Sequence, residues 1–472
     1  MNSIISSSLI AATAVSAGAE NVQLPNIILI LADDLGWGEL GCYGQQKIKT
    51  PHLDAMAAEG MRFTQFYSSA PVCAPARYML LTGKHAGHSY IRNNKKMDMP
   101  ERRLANGALL YPGQLPMPAD DITIAEMLKD AGYATACFGK WGLGVAGTSG
   151  DPLKQGFDRF YGYSCQAHAH NLYPAYLDRD GVPQLLDGTQ YAPQLIADEM
   201  LQFIREKRNA PFFLYYATVL PHLALQVPEE YIKPYLDKWE EIPYTGQSYQ
   251  PHPTPRACYA TMISFMDRQV GRIFAQLKEL NLDENTIVIF TSDNGTTFLG
   301  EQVDYTFFNS VGPLRGLKGD TFEGGVRIPF IARWPQKISA GTVSDFVGIQ
   351  YDLMPTFAEL TGVSVPPAAD GISILPEMLG EPQQKTHDFL LWDYPGYSGQ
   401  VAVRMGDWKL VKELILYQPD LPARLYNLKT DISESNDIAV QHPDIVAQME
   451  EIILRERRKP EVESFRFGTY RD

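Results

Sequence analysis

The sequence predicts an α/β fold, with a mostly parallel central sheet flanked by helices and a small C-terminal α+β subdomain built on an antiparallel sheet. Three observations carry that expectation. Apolar, β-rich runs alternate with helical patterns over most of the chain. Several of those runs end abruptly in charged or polar residues. Beyond a Pro- and Gly-rich stretch at 365–390 the pattern changes to short alternating segments.

The strands are expected at NIILILA (26–32), ATACF (134–138), PFFLYYA (211–217), TIVIFTS (286–292) and VRIPFIA (326–332). Helices fall between them with ordinary start and stop signals. Thr50-Pro51 opens one that closes before Gly60, and Asp121 and Thr123 open another that closes before Gly132. The longest helical pattern runs from about Cys258 to Leu280. In the last part, stretches within 389–427 read as a small antiparallel sheet and 442–457 as one amphipathic helix. The expected organisation is a possible signal peptide at 1–19, a larger domain at 20–380 and a C-terminal subdomain at 381–472. The polar stretch 94–120 reads as a surface insertion, and it and 226–256 are the loops expected to shape a pocket.

Composition narrows the function. A chain of 472 residues, 45% hydrophobic, buries a substantial core. A formal charge of −14 argues against sequence-independent nucleic-acid binding, so any anion must be held by a local cationic pocket. Residues 4–18 are small and apolar and lead to Ala17-Gly18-Ala19, which fits a cleavage site although a positive n-region is missing. This points to export, to the periplasm or beyond, and no other segment is long and apolar enough to span a membrane. The five cysteines are scattered without CxxC spacing, which implies neither a zinc knuckle nor a disulfide-dense scaffold.

The chemistry is expected where the strands end. The first run ends in Asp33-Asp34, the second reaches Lys140 after Gly139, the third leads to His222 and the fourth ends in Asp293-Asn294. In an open parallel sheet the crevice beyond the strands' carboxyl ends is where ligands bind. Cys73-Ala74-Pro75-Ala76-Arg77 adds a helix start, whose free N–H groups favour an anion or an oxygen nucleophile at position 73. Arg77 one turn on could clamp a tetrahedral anion. An isolated Cys is usually buried and structural, and DD or DN after a strand is usually a turn or a cap; here they occur together.

CxPxR followed by LLTG resembles the motif of the formylglycine-dependent sulfatases. The resemblance extends through PNIILILADDLGWGELGCYG, GKWG, TVLPH, TSDNG, LRGLKGDTFEGGVRIP and RLYNLKTD, nearly the whole chain. It implies an alkaline-phosphatase-like α/β sandwich whose 20–380 domain is catalytic, and conversion of Cys73 to formylglycine by a maturase. It also implies a Ca²⁺ ion held by Asp33, Asp34, Asp293, Asn294 and the modified Cys73; such hard oxygen donors suit calcium. The hydrated aldehyde attacks sulfur with one hydroxyl, and the other later loses its proton to expel sulfate. Arg77, Lys140 and Lys318 match residues around the sulfate, and His222 matches the proton donor to the leaving alcohol. Many members read GKWHLG where this chain has Gly142. A bacterial carbohydrate-sulfatase subset shares GKWG and a stretch like Cys165–Pro174, and so His170 is expected to supply the contact missing at 142. Zinc at the His168/His170 pair lacks companion ligands. The expected activity is hydrolysis of a sulfate monoester, on a sulfated carbohydrate. The competing expectations are a formylglycine-dependent phosphodiesterase or phosphonate hydrolase and a non-catalytic protein that binds sulfated glycans.

Overall fold

The computed structural model describes residues 24–297, 303–382 and 385–470; the leader expected at 1–19 lies outside them. The chain forms β1 (Asn26–Ala32), α1 (Pro51–Ala58), β2 (Met61–Tyr67), α2 (Cys73–Thr82), a small ribbon of β3 (Arg102–Arg103) and β4 (Leu109–Leu110), and α3 (Ile124–Asp130). There follow β5 (Ala134–Lys140), β6 (Arg159–Tyr163), β7 (Tyr176–Arg179), β8 (Val182–Leu185), α4 (Ala192–Lys207), β9 (Phe212–Ala217), the long helix Pro255–Glu279 and β10 (Thr286–Ser292). Then come β11 (Arg327–Arg333) and β12 (Thr342–Ile349). β13 (Leu390–Tyr394), β14 (Gln400–Met405), β15 (Trp408–Lys412), β16 (Arg424–Asn427) and the helix Pro443–Glu456 complete the chain.

Ten strands make one sheet in the order β12-β2-β11-β10-β1-β9-β5-β6-β7-β8. Its centre, β10-β1-β9-β5-β6, is parallel throughout. Such strands are buried on both faces and read as continuous apolar runs. Alternate residues of β1 accordingly feed two cores: Ile28 and Ile30 pack with the long helix's residues, while Ile27, Leu29 and Leu31 pack with those of α2 and α3. α3 opens with a capping box in which Thr123 accepts from Glu126 N–H and Glu126 accepts from Thr123 N–H.

The expected strands appear at their places, with one correction of direction. Of the five expected runs in the mostly parallel sheet, the one at 326–332 runs the other way: β11 is antiparallel to both β10 and β2. The chain enters it from a loop at the same end of the sheet where β10 finishes, so it must run back. The 94–120 stretch is more than a surface insertion, since Met117 and Gln114 within it are buried. The four-stranded antiparallel sheet β13-β14-β15-β16 carries its own core against Met449, Ile452 and Ile453 of the last helix. It docks on the large sheet through Trp392, whose indole N–H donates to Ser68 O, and through Lys409, whose ammonium lies between Glu323 and Glu434.

Candidate active site

The parallel strands deliver polar residues to one crevice. β1 ends in Asp33-Asp34 and β10 in Asp293-Asn294, and their register ties the ends together: Asp293 N–H donates to Ala32 O, and Asp34 N–H to Asp293 Oδ1. Asp34 takes a left-handed backbone, φ 62°, a conformation in which Asp is enriched. β5 brings Lys140. The residue before it must be glycine, because a Cβ on Gly139 would come within 1.9 Å of Ala217 O on the neighbouring strand. Lys318 sits in a loop pinned by its own N–H to Thr296 O and by Gly319 N–H to Pro71 O.

Position 73 is the first residue of α2, so its side chain lies where the helix N–H groups point. Asn94 caps this end by accepting from Ala74 N–H at 2.9 Å. Arg77, one turn in, donates to Asp293 Oδ2 from Nε and Nη2 and to Lys140 O from Nη1. Lys140 Nζ donates to Asp33 Oδ2 at 2.7 Å, and Lys318 Nζ donates to Asp34 Oδ2 at 2.7 Å. Lys318 also reaches His222 Nε2 at 3.1 Å, while the other ring nitrogen of His222 is hydrogen-bonded to Leu223 O. Three cations thus face three carboxylates, almost wholly out of water.

Burial dominates the titration of this cluster. It raises the Cys73 thiol to about 12, so a thiolate is disfavoured here. Burial also opposes ionisation of Asp33, but the cations Lys140, Arg77 and Lys318 outweigh it and hold that carboxyl well below the usual range. Asp293 is pushed up to about 7 by burial and the charge of Asp33, against Arg77. Burial and then the ammonium groups of Lys318 and Lys140 drive His222 well below its ordinary value, so its ring is neutral.

The donor set fits a hard divalent cation. Ligand atoms of Asp33, Asp34, Cys73 and His222 lie within 4.8 Å of one another. Asn294 Oδ1 is a buried oxygen that accepts no hydrogen bond, and Asp33 Oδ1 has only the Arg77 guanidinium at 3.4 Å; a buried oxygen of the first kind calls for a cation or a water. Asn294 Nδ2 donates to Asp34 Oδ1 at 2.8 Å, which joins the second strand end to the first.

All the residues singled out in the sequence therefore converge. His170 joins them through its ring, stacked on His222 at 4.7 Å between centroids. The space beside Gly142 is taken by another residue: a Cβ there would lie 2.1 Å from Nε2 of Gln166. Tyr249, from the 226–256 loop, presents its ring edge-on to both His170 and His222. Sequence reasoning missed Asn94, Gln166 and Tyr249 as site residues. The only signal for them was membership of the loops expected to shape the pocket and of the Cys165–Pro174 stretch.

A second histidine cluster, His85 and His88 with Asp370 and Glu456, lies elsewhere. His85 Nδ1 accepts from Gly87 N–H, which leaves the proton on Nε2 facing the carboxylates, and that tautomer is a hydrogen-bond donor and cannot ligate a metal through Nε2.

Comparison with known proteins agrees with this geometry. The sulfatase family model matches residues 25–363, and a model of the N-sulphoglucosamine sulphohydrolase C-terminal region matches residues 318–459. The chain is 36% identical to N-acetylgalactosamine-6-sulfatase of Canis lupus familiaris over 84% of its length and 72% of that protein's. It is 34% identical to human arylsulfatase A over 84% of its length and 76% of that protein's. Among solved structures, Ps i-CgsB in complex with a neocarrahexaose superposes with a TM-score of 0.76 at 28% identity, covering 93% of this chain and 94% of the other. The chain belongs to the sulfatase family and is a sulfuric ester hydrolase.

Proposed function

We propose that this protein hydrolyses the sulfate monoester of a sulfated carbohydrate, using residue 73 matured from cysteine to formylglycine beside a Ca²⁺ ion. The observation that carries the reading is the placement of residue 73. It sits at a helix N-terminus, buried against three carboxylates and three cations, where the unmodified thiol is a poor nucleophile.

Asp33, Asp34, Asp293, Asn294 and residue 73 would hold the ion, in the crevice where the buried Asn294 Oδ1 lacks a donor. The ion would supply positive charge toward sulfate oxygens, and the hydrated aldehyde an oxygen nucleophile that a thiol cannot offer. Lys140 and Lys318 orient the sulfate, each already fixed by a carboxylate. Arg77 holds Asp293 and the end of β5 in register, so it fixes the frame on which both lysines stand. His222 holds its neutral Nε2 within hydrogen-bond distance of Lys318, and that pair carries the proton given to the leaving alcohol. His170 packs flat on His222 and keeps the ring from turning.

The carbohydrate substrate is supported by relatives named for N-acetylgalactosamine 6-sulfate and by a structural neighbour solved with a neocarrahexaose. Among the described residues no helix is long and apolar enough to cross a membrane; a periplasmic or secreted location rests on the leader-like residues 4–18.

The test is sulfate release by enzyme co-expressed with a formylglycine-generating maturase, over a panel of sulfated mono- and oligosaccharides, an aryl sulfate and an aryl phosphodiester. Cys73→Ala should lose at least about a thousandfold in kcat/KM on every sulfate ester. Cleavage of the phosphodiester alone would transfer the reading to phosphodiester chemistry.

A further inference from the structure

The C-terminal sheet contributes one residue to the catalytic cavity. The cavity is about 340 Å³, and its wall includes Cys73, His222, Lys318 and Tyr397. Tyr397 stands in the hairpin between β13 and β14, far in sequence from the rest of the site. Its side chain is left 64% exposed, and its backbone is left-handed at φ 54°. An aromatic residue is an outlier in that region, and such strain persists only where the surroundings enforce it.

The surroundings here do enforce it. Gly399 N–H closes the hairpin on Gly396 O at 3.0 Å. Gln400 then clamps the hairpin to the lysine loop: its Nε2 donates to Gly319 O at 2.8 Å, and its Oε1 accepts from Thr321 N–H at 3.0 Å. The Tyr397 ring lies directly on the backbone of Gly319, where a Cβ would come within 2.1 Å of Cε2. One edge leans on Tyr394, 6.0 Å between centroids. The ring is therefore held beside the residue that follows Lys318, on the cavity wall and with much of the residue exposed.

We propose that Tyr397 is the platform on which the sugar ring of the leaving group stacks once its sulfate is seated between Lys140 and Lys318. A rigid aromatic face buries the apolar C–H face of a pyranose at little entropic cost and leaves the ring hydroxyls free for polar neighbours. The inference rests on the carbohydrate reading above and deepens it: the occupant is a pyranose. Tyr397 binds and positions substrate and takes no part in proton transfer.

The experiment uses matured full-length enzyme and the sugar sulfate turned over best from a panel of N-acetylgalactosamine 6-sulfate, glucosamine 2-N,6-O-disulfate and a carrageenan oligosaccharide. Tyr397→Ala should raise KM about tenfold with a much smaller change in kcat, and Tyr397→Phe should restore it. Inorganic sulfate, as a competitive inhibitor, should keep its inhibition constant within about twofold in both variants, because the ion alone does not reach the ring. Tyr397→Gly, which suits the left-handed backbone, should raise Tm while raising KM, as expected of a residue kept for function at the expense of stability. An unchanged KM in Tyr397→Ala would overturn the platform, as would a sulfate inhibition constant that rises in step with KM. An enzyme that cleaves the aryl sulfate and none of the sugar sulfates would sink the carbohydrate reading itself, and the platform with it.

Discussion

His222 shows how a residue's role depends on its neighbours. A histidine after proline is unremarkable in sequence, yet here its ring is neutral, bonded to a backbone carbonyl on one side and to an ammonium on the other. A sugar alcohol leaves poorly without a proton, whereas a phenol leaves readily. His222→Asn should therefore lower kcat on a sugar sulfate by about a hundredfold or more and on an activated aryl sulfate by much less; equal losses on both would remove the His222–Lys318 pair as the source of that proton. Ca²⁺ added to metal-stripped enzyme should raise Tm, by up to about 2.7 kcal/mol of stabilisation at a hundredfold excess over Kd, and Asp293→Asn should blunt the rise in a thermal melt. At this scale the motif resemblance was enough to pick out Cys73, Arg77, Lys140, Lys318, Asp33, Asp34, Asp293 and Asn294, which the structure brings into one crevice. Gln166 was not legible, because what selects it is the empty side of Gly142, a contact between residues that no spacing rule connects.

Elements were legible in proportion to their burial. β1 and β10 are covered on both faces and appear as unbroken apolar runs, so their limits could be read directly. β2, MRFTQFY, lies near the sheet's margin with several partly exposed positions, and its mixed pattern does not separate a strand from a helix. The junction of α1 with the long helix shows a consequence that only packing creates. Asp267 on the long helix accepts from His52 N–H and Leu53 N–H at the start of α1, and burial raises its carboxyl from 3.8 to about 7. A raised acid binds a proton in the folded state that the unfolded chain has already released. Stability should thus fall as pH rises between about 4 and 7, by at most about 1.4 kcal/mol per pH unit from this group, and level off above 7. Asp267→Asn should flatten that slope in urea unfolding measured at pH 5 and pH 8; an unchanged slope would assign the dependence to other groups.

The whole molecule is joined by a buried ionic network at the contact between the two sheets. Lys409 of β15 lies wholly buried between Glu323 and Glu434, and Glu323 also meets Arg327 and the Tyr67 hydroxyl. Burial opposes its ionisation, but Lys409 and Arg327 hold Glu323 down at about 2. Lys409→Met leaves the buried Glu434 carboxyl without its cation and Glu323 with Arg327 as its remaining ion-pair partner, and should lower stability by about 3–5 kcal/mol, read as a fall in Tm and, because Glu323 follows the Lys318 loop, as a rise in KM. A melt within a degree of wild type would show that the network contributes little. What the sequence determined by itself was the parallel core, the polar residues at the strand ends and the family, because apolar periodicity and motif spacing are local in the chain. Tertiary structure alone decided the direction of β11, the pairing of each lysine with its aspartate, the filling of the space at Gly142 and the reach of Tyr397 into the cavity. Each of these is a contact between segments distant in sequence, set by shape and by charge in a low-dielectric interior, where small displacements decide which groups meet.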